Sequence, residues 1–255
     1  MPSPALAARL RAGETLHSGW LGMPEPLVAE TTARTGFDCV ALDMQHGLHD
    51  TASVMRSIGA IALGGKPAVV RVPVGDNAMA SRALDMGAEG IIAPMINTVA
   101  EARALAAATK YPPLGERSWG PTRAMTLQGI GDAQAYLDQA NRASFVFAMI
   151  ETVRAMEALD SILAVDGIDG AFVGPSDLSV TLSGGKRIAP FDAFLDDSIR
   201  HIAARAAAAG KVVGAYAATP DRARYFRNAG YCFIALGGDQ AYLAAGANEM
   251  LRAAR

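Results

Sequence analysis

The sequence has little net charge, few cysteines and no long apolar segment. Its 255 residues carry a formal net charge of -2, which gives no basic surface for nucleic acid. No apolar run approaches the roughly 20 residues that a membrane-spanning helix needs, and the opening residues lack the apolar core of a secretory signal. The two cysteines, Cys39 and Cys232, fall in separate predicted strands without a metal-binding spacing. These absences predict a reduced, cytoplasmic protein that binds neither nucleic acid nor membrane.

Several common catalytic sites are absent as well. The chain has four lysines: Lys66 and Lys211 come at the start of predicted strands, at the opposite face of the barrel, Lys110 follows a helix and Lys186 lies in a loop. A Schiff-base mechanism, which needs a desolvated lysine at the reaction centre, is therefore not expected. The sequence also has no G-x-S-x-G nucleophile elbow, no dinucleotide fingerprint after its first strand and no P-loop.

What the sequence does have is a regular alternation of strand and helix patterns. The hydrophobic fraction of 51% and the charged fraction of 19% suit a large buried core with further burial between subunits. We predict one α/β domain over residues 1–255, a (β/α)8 TIM barrel whose bottom is closed by a short helix at 3–11. The predicted strands lie near 17–22, 37–43, 66–73, 90–95, 145–150, 168–173, 212–217 and 232–236, and the last helix spans about 239–254.

The clearest strand, helix and strand unit lies between residues 145 and 177. Its first apolar run ends in Glu151, and its second ends in the turn Gly174-Pro175-Ser176-Asp177. Between the two runs, Thr152 is placed to cap a helix and Gly167 to end it. Because ligands of parallel α/β folds bind at the carboxyl ends of the strands, we expect both acidic side chains at one mouth of the barrel.

Glu151 and Asp177 are the predicted metal ligands. Oxygen ligands without a neighbouring cysteine favour Mg²⁺ or Mn²⁺ over zinc, and two protein ligands leave room for water and a chelating substrate. The backbone N–H groups of Ser176 and Asp177 open a helix, where the carboxylate of a 2-oxo acid would be favoured. The alternative is that each acid caps the helix that follows it.

Three further side chains stand at or just after strand ends. His46 is the candidate base, and Asp43 is placed three residues earlier to orient its imidazole. The alternative for His46 is a loop histidine with one backbone hydrogen bond. Arg71 lies between two valines on a strand buried on both sides, so its charge needs a partner in the mouth, either a bound oxyanion or a barrel acid.

The irregular segment 111–123 comes after strand four and its helix, and we expect it to lie over the same mouth. Within it, Arg117 and Arg123 are candidates for binding a distal carboxylate or for a subunit contact. Trp119 is either a wall of the substrate pocket or an interface anchor. His49 has no partner at a strand end and is expected to be solvated or packed.

Short motifs follow one another along the chain in a fixed order. They are Phe37-Asp38, Asp43-Met44-Gln45-His46, Val70-Arg71, Tyr111-Pro112-Pro113, Gly115-Glu116-Arg117, Ile150-Glu151-Thr152 and Val173-Gly174-Pro175-Ser176-Asp177-Leu178-Ser179. In this order and spacing they resemble the HpcH/HpaI family of metal-dependent 2-oxo acid aldolases, which includes 4-hydroxy-2-oxoheptanedioate and 2-keto-3-deoxy sugar acid aldolases. The resemblance runs from about Gly19 to the last helix.

The resemblance implies a barrel of the phosphoenolpyruvate/pyruvate-domain type. Its last helix would be exchanged between subunits of a hexamer built as a trimer of dimers. The divalent metal, Mg²⁺, Mn²⁺ or Co²⁺, would lie on Glu151 and Asp177. The His46 and Asp43 pair would supply the base, and Arg71 would contact the keto oxygen of the substrate.

Three positions depart from the family pattern and bear on the choice of substrate. Tyr216 stands where the family usually has an aliphatic residue lining the aldehyde pocket. Gln45 stands where an acid is frequent, and Met149 stands where a glutamine is frequent.

Three functional hypotheses follow. The first is a class II aldolase that joins pyruvate or hydroxypyruvate to an aldehyde and cleaves 4-hydroxy-2-oxo acids. The second uses the same site as a lyase of a CoA thioester or as an oxaloacetate decarboxylase, although few basic residues are available for the nucleotide phosphates. The third is a barrel without catalytic activity that binds small acids or serves in an assembly.

Overall fold

The computed structural model describes residues 6–255, and they form a closed barrel of eight parallel strands in sequence order. The strands are β1 Leu16–Leu21, β2 Cys39–Asp43, β3 Ala68–Arg71, β4 Gly90–Ala93, β5 Phe145–Met149, β6 Gly170–Val173, β7 Val212–Ala217 and β8 Phe233–Leu236. The predicted (β/α)8 barrel is confirmed. Within the described residues, no helix is long and apolar enough to cross a membrane.

Helices surround the barrel and connect its strands. They are α1 Leu6–Arg11, α2 Pro26–Ala33, α3 Thr51–Leu63, α4 Asn77–Asp85, α5 Val99–Thr109, α6 Thr122–Gln128, α7 Ala133–Ala143, α8 Val153–Glu157, α9 Leu159–Leu163, α10 Pro175–Leu182, α11 Asp196–Ala208, α12 Pro220–Asn228 and α13 Asp239–Ala253. A 3-10 turn, Ala193–Leu195, leads into α11.

The strands are short apolar runs, which is typical of parallel strands buried on both faces. Aromatic rings fill the inside of the barrel: the ring centroid of Phe147 lies 4.7 Å from that of Phe145 and 5.2 Å from that of Phe233. Helix α1 closes the amino-terminal end with the buried Leu6 and Leu10. The predicted closure is therefore confirmed for residues 6–11, while residues 3–5 lie outside the described part of the chain.

The register between strands brings the expected side chains together at the carboxyl ends. Asp43 on β2 is paired in register with Arg71 on β3. Met149 at the end of β5 is paired with Phe172 on β6. The residues that follow these two strands, including Glu151 and the turn that begins at Gly174, therefore leave the barrel at the same end.

Helix α5 carries the chain back to the amino-terminal end of the barrel, so the segment 111–121 starts there. The Lys110 ammonium group marks this end, because it donates to the carbonyl of Ser144 just before β5 (2.9 Å) and to Asp169 just before β6 (2.8 Å). Arg123 reaches a backbone carbonyl in α3 (3.5 Å). The expectation that this segment covers the mouth of its own barrel is wrong, because a helix that follows a strand must return the chain to the opposite face.

Trp119 lies within this segment, away from the mouth. Its ring packs against Tyr111 and Tyr136, with centroid separations of 5.5 and 6.0 Å. Arg117 forms an ion pair with Asp85 at the end of α4 (2.5 Å). Trp119 therefore does not line the pocket of its own chain, and with 48% of its surface exposed its role as an interface anchor stays a prediction.

Two helical features differ from the sequence prediction. The helix expected between Thr152 and Gly167 is divided into α8 and α9 at Ala158, which leaves the helical region with φ -93° and ψ 2°. Thr152 does cap α8, since its hydroxyl accepts the N–H of Ala155 (3.0 Å). Helix α6 was not predicted, and its first two residues fall in the segment 111–123 that was expected to be irregular.

Candidate active site at the carboxyl ends of the strands

Asp43 and Arg71 form a buried ion pair at the mouth. The guanidinium donates Nε–H to one carboxylate oxygen (2.8 Å) and Nη2–H to the other (2.6 Å), which is the two-pronged geometry that fits a carboxylate best. Trp20, near the end of β1, contacts both members of the pair. The centroid of its ring lies 4.8 Å from Arg71 Cζ, and its Nε1–H donates to Asp43 (3.3 Å). The arginine is thus held with one orientation in the mouth.

The Asp43 carboxylate also accepts backbone N–H groups from Gln45 (2.9 Å) and His46 (3.3 Å). Burial would raise the pKa of Asp43, but the hydrogen bonds and charge of Arg71, together with these N–H groups, hold the pKa below its ordinary value. The carboxylate is therefore fully engaged. The expectation that Asp43 orients the imidazole of His46 is wrong, because Asp43 pairs with Arg71 and contacts His46 through its backbone.

His46 itself is an exposed side chain on the loop after β2. Its imidazole is accessible to solvent on the loop that leaves the carboxyl end of β2. Its neighbour His49 is buried, with Nδ1 at 3.2 Å from the Ser53 hydroxyl. His49 was expected to be either solvated or packed, and it is packed. Burial lowers the pKa of His49, although the negative charges of Asp239 and Asp43 act to raise it.

Glu151 is almost completely buried directly after β5. Its Oε1 accepts the N–H of Met95 (2.7 Å). The φ angle of Met95 is 57°, in the left-handed region that residues other than glycine rarely adopt. Oε2 of Glu151 is buried and has no hydrogen-bond partner among residues 6–255. The pKa of Glu151 is raised to about 7, mainly by burial and further by the charge of Asp177. The Met95 N–H and the charge of Arg71 act in the opposite direction.

Asp177 is exposed in the first turn of α10 and acts on Glu151 through its charge. Gly174 makes room for this arrangement, because a Cβ atom there would lie 2.5 Å from the free Oε2 of Glu151. Neither acid caps a helix: Thr152 caps α8, and α10 begins without a capping side chain. The alternative in which both acids only cap helices is therefore excluded.

The oxygen atoms at this point suit a hard divalent cation. An unpaired buried carboxylate oxygen is costly unless a cation or a proton satisfies it. Across residues 6–255, no group of three or more His, Cys, Asp or Glu side chains is arranged to hold a metal. A cation on Glu151 and Asp177 would thus keep several positions for water or substrate, as Mg²⁺ usually does.

Tyr216, on β7, lies beside Trp20 on the inside of the barrel. Its ring packs edge-on against Trp20 with centroids 5.5 Å apart. Burial raises the pKa of the Tyr216 phenol, while Arg71 lowers it and Asp43 raises it. Trp20 in turn contacts both Arg71 and Asp43, so Tyr216 is linked to the buried ion pair through this ring.

Comparison with known proteins identifies the family. A model of the HpcH/HpaI aldolase/citrate lyase family matches residues 18–245. The chain belongs to this family. The resemblance predicted from its motifs is confirmed, and the residues described above form the mouth of an HpcH/HpaI barrel.

Individual members of the HpcH/HpaI family are similar over nearly the whole chain. A hydroxypyruvate/pyruvate aldolase from Rhizorhabdus wittichii is 42% identical over 243 residues, covering 95% of each chain. A 4-hydroxy-2-oxo-heptane-1,7-dioate aldolase from Salmonella dublin is 38% identical, covering 94% of this chain and 90% of that one. The crystal structure of an HpcH/HpaI aldolase/citrate lyase family protein from Burkholderia cenocepacia J2315 superposes with a TM-score of 0.86 at 31% identity, covering 98% of both chains.

Sequence reasoning missed two contributions to this HpcH/HpaI site. Trp20 carries a signal that could have been used, because an aromatic side chain near the end of a barrel strand is placed to face the mouth. The backbone N–H of Met95 gave no signal, since any residue other than proline can supply it.

Proposed function

We propose that this chain is a class II aldolase that adds pyruvate or hydroxypyruvate to an aldehyde and cleaves 4-hydroxy-2-oxo acids in the reverse direction. The observation that carries the proposal is the buried Oε2 of Glu151, which has no hydrogen-bond partner among residues 6–255 and is influenced by the charges of Asp177 and Arg71. The names of the two similar aldolases support the same reaction class.

Glu151 and Asp177 would hold the divalent cation, Mg²⁺ or Mn²⁺, with Co²⁺ as a further candidate. When bound, such a cation acts as a Lewis acid that stabilises negative charge on the oxygen atoms of a 2-oxo acid. The backbone N–H groups of Ser176 and Asp177 precede the first hydrogen bond of α10, in which Leu178 donates to Gly174 (3.0 Å). As N–H groups of a first helical turn they have no acceptor within α10, so they could donate to the substrate carboxylate, and Pro175 sets the direction of the turn.

Arg71 and His46 would act on the reacting atoms. Asp43 uses Nε and Nη2 of Arg71, which leaves Nη1 to donate to the developing oxyanion at C2. His46 would take a proton from C3, so that C3 can attack the aldehyde carbon; the aldehyde oxygen then takes up one proton, equal to the one removed from C3, and becomes the 4-hydroxyl group. Asp43 is then a positioning residue, because it fixes the arginine without touching substrate.

The direct test is exchange of the C3 protons of pyruvate with solvent deuterium, which needs no aldehyde. We expect NMR to show exchange in the presence of Mn²⁺ or Mg²⁺, its loss with EDTA and its recovery when metal is restored. A barrel that only binds small acids would give no exchange under any of these conditions. Exchange that continues unchanged in EDTA would also contradict the proposal.

We further propose that the chain forms a homo-oligomer in which α13 is exchanged between subunits, as a hexamer. The support is the helix itself: after Asp239 it is largely exposed, and its apolar side chains Leu243, Met250 and Leu251 are 68%, 75% and 52% exposed. A row of exposed apolar side chains on a helix that leaves the barrel is typical of a surface that a second copy covers.

Light scattering after size-exclusion chromatography tests the oligomer. We expect the mass of several 26.5 kDa chains for the native protein, with six as the expected number. Leu243→Glu combined with Met250→Glu should shift the protein to smaller species, because two charges would be buried in the interface. Gln240→Glu adds charge at an exposed polar position of the same helix and should not. A monomeric native protein would contradict this part of the proposal.

A further inference from the structure

A turn with unfavourable backbone geometry lies beside Glu151, between β4 and α5. Met95 in this turn has a φ angle of 57°, and no other non-glycine residue between positions 6 and 255 has a positive φ. A residue with a Cβ atom keeps such a conformation only where neighbouring contacts hold it, and these positions cluster at functional sites. The conformation lets the N–H of Met95 donate to Glu151 Oε1 (2.7 Å) while its C=O points to Asn97.

Asn97 uses both ends of its side-chain amide in this turn. Its Nδ2–H donates to the carbonyl of Met95 (2.9 Å), and its Oδ1 accepts the hydroxyl of Thr152. Its backbone N–H donates to the carboxylate of Glu101 in the first turn of α5 (2.7 Å). The side chain therefore extends from an anchored backbone and connects two residues that flank Glu151, one through space and the other along the chain.

These contacts determine where the carboxylate of Glu151 lies. Thr152 fixes the backbone next to Glu151, because its hydroxyl also caps α8 by accepting the N–H of Ala155 (3.0 Å). The Met95 N–H holds Oε1, so the buried Oε2 is the oxygen left for a cation. Mg²⁺ demands near-ideal octahedral geometry, and a displaced ligand oxygen therefore binds it less well.

We propose that Asn97 is a positioning residue of the metal site. It holds Met95 in the left-handed conformation, and the Met95 N–H in turn fixes the Glu151 carboxylate so that Oε2 meets the cation. This role rests on the proposed function, because it assumes that Glu151 binds the metal. It adds a residue that sets the metal affinity through Met95.

The Mn²⁺ affinity of the protein, measured by electron paramagnetic resonance without substrate, tests this role. Asn97→Ala removes both hydrogen bonds of the amide and should weaken Mn²⁺ binding about 10- to 100-fold, the loss typical of groups that support a metal ligand. Asn228→Ala removes an exposed asparagine at the end of α12 and should leave the affinity unchanged. Circular dichroism and thermal unfolding in EDTA show whether each variant is folded.

A second substitution, at position 95, separates positioning from general stabilisation. Glycine has no Cβ atom and adopts a φ of this sign without strain, so Met95→Gly in the Asn97→Ala background should restore Mn²⁺ affinity by about fivefold. Met95→Ala in the same background also shortens the side chain but keeps the Cβ atom, and it should restore nothing. A role of Asn97 in folding alone would give the same affinity in both double variants.

Three results would overturn the role of Asn97. One is native Mn²⁺ affinity in a folded Asn97→Ala protein, and another is equal affinity of the two double variants. The third needs no variant: it is rapid hydrogen exchange of the Met95 amide in the native metal-free protein, resolved by mass spectrometry, because an N–H held by Glu151 should exchange slowly. Native affinity in Glu151→Gln is a different result, since it would remove the proposed metal site itself and this role with it.

Discussion

Glu151→Gln is expected to lower metal-dependent deuterium exchange into pyruvate by more than about 100-fold. Loss of a group that merely supports a metal ligand already costs 10- to 100-fold, and Glu151 is proposed as a ligand itself. The amide has nearly the same shape and can still accept the Met95 N–H, so the change is mainly one of charge. Mn²⁺ binding, followed by electron paramagnetic resonance, should weaken in parallel.

Glu151→Gln lowers activity, but in the metal-free protein it is expected to raise stability. The pKa of Glu151 is about 7 in the folded state against an ordinary 4.5, so the folded state binds more protons between these two pH values. The free energy of unfolding of the native sequence should therefore fall as pH rises from 4.5 to 7, by roughly 3 kcal/mol in total. In EDTA, Glu151→Gln should not show this loss and should be the more stable protein above pH 7.

Glu157→Gln is the matched control, because Glu157 is an exposed acid on the helix that directly follows Glu151. It should leave exchange, Mn²⁺ binding and the pH profile of stability unchanged. Normal Mn²⁺ affinity in Glu151→Gln would remove this residue from the metal site.

Arg71→Met is expected to reduce both activity and stability. Removal of a donor to a developing oxyanion typically costs 10²- to 10³-fold in kcat, and a loss of that size is expected in aldol addition. The variant also leaves the Asp43 carboxylate buried without its cation, which costs 3–5 kcal/mol in comparable cases. Asp43 keeps the N–H donors of Gln45, His46 and Trp20. We therefore expect the free energy of unfolding, measured with urea, to fall by about 3 kcal/mol, the lower end of that range.

A double-mutant cycle separates these two effects of Arg71. Asp43→Asn should also destabilise the protein, but the double variant should lose less than the sum of the two single losses, because the two residues share one interaction. Arg82→Met removes an exposed arginine from α4 and should change neither quantity. Additive losses in the cycle would show that Asp43 does not act through Arg71.

The positions of the main side chains could be predicted from the sequence because they depend on strand ends. Asp43, Arg71 and Glu151 each finish or directly follow an apolar run, and a parallel barrel gathers all such positions at one mouth. No knowledge of side-chain partners is needed for that step. The same rule places the turn from Gly174 to Asp177.

The partners of these side chains could not be predicted. Sequence proximity favoured His46 as the partner of Asp43, whereas the register of β2 and β3 gives that carboxylate to Arg71. The position of Trp119 also depends on a path through α5 that returns the chain to the other face.

The measurement that tests the account most directly is anomalous diffraction from crystals soaked in Mn²⁺. One strong peak is expected within bonding distance of both Glu151 Oε2 and the Asp177 carboxylate. A peak with other ligands, or none at this mouth while pyruvate exchange still depends on the metal, would contradict it.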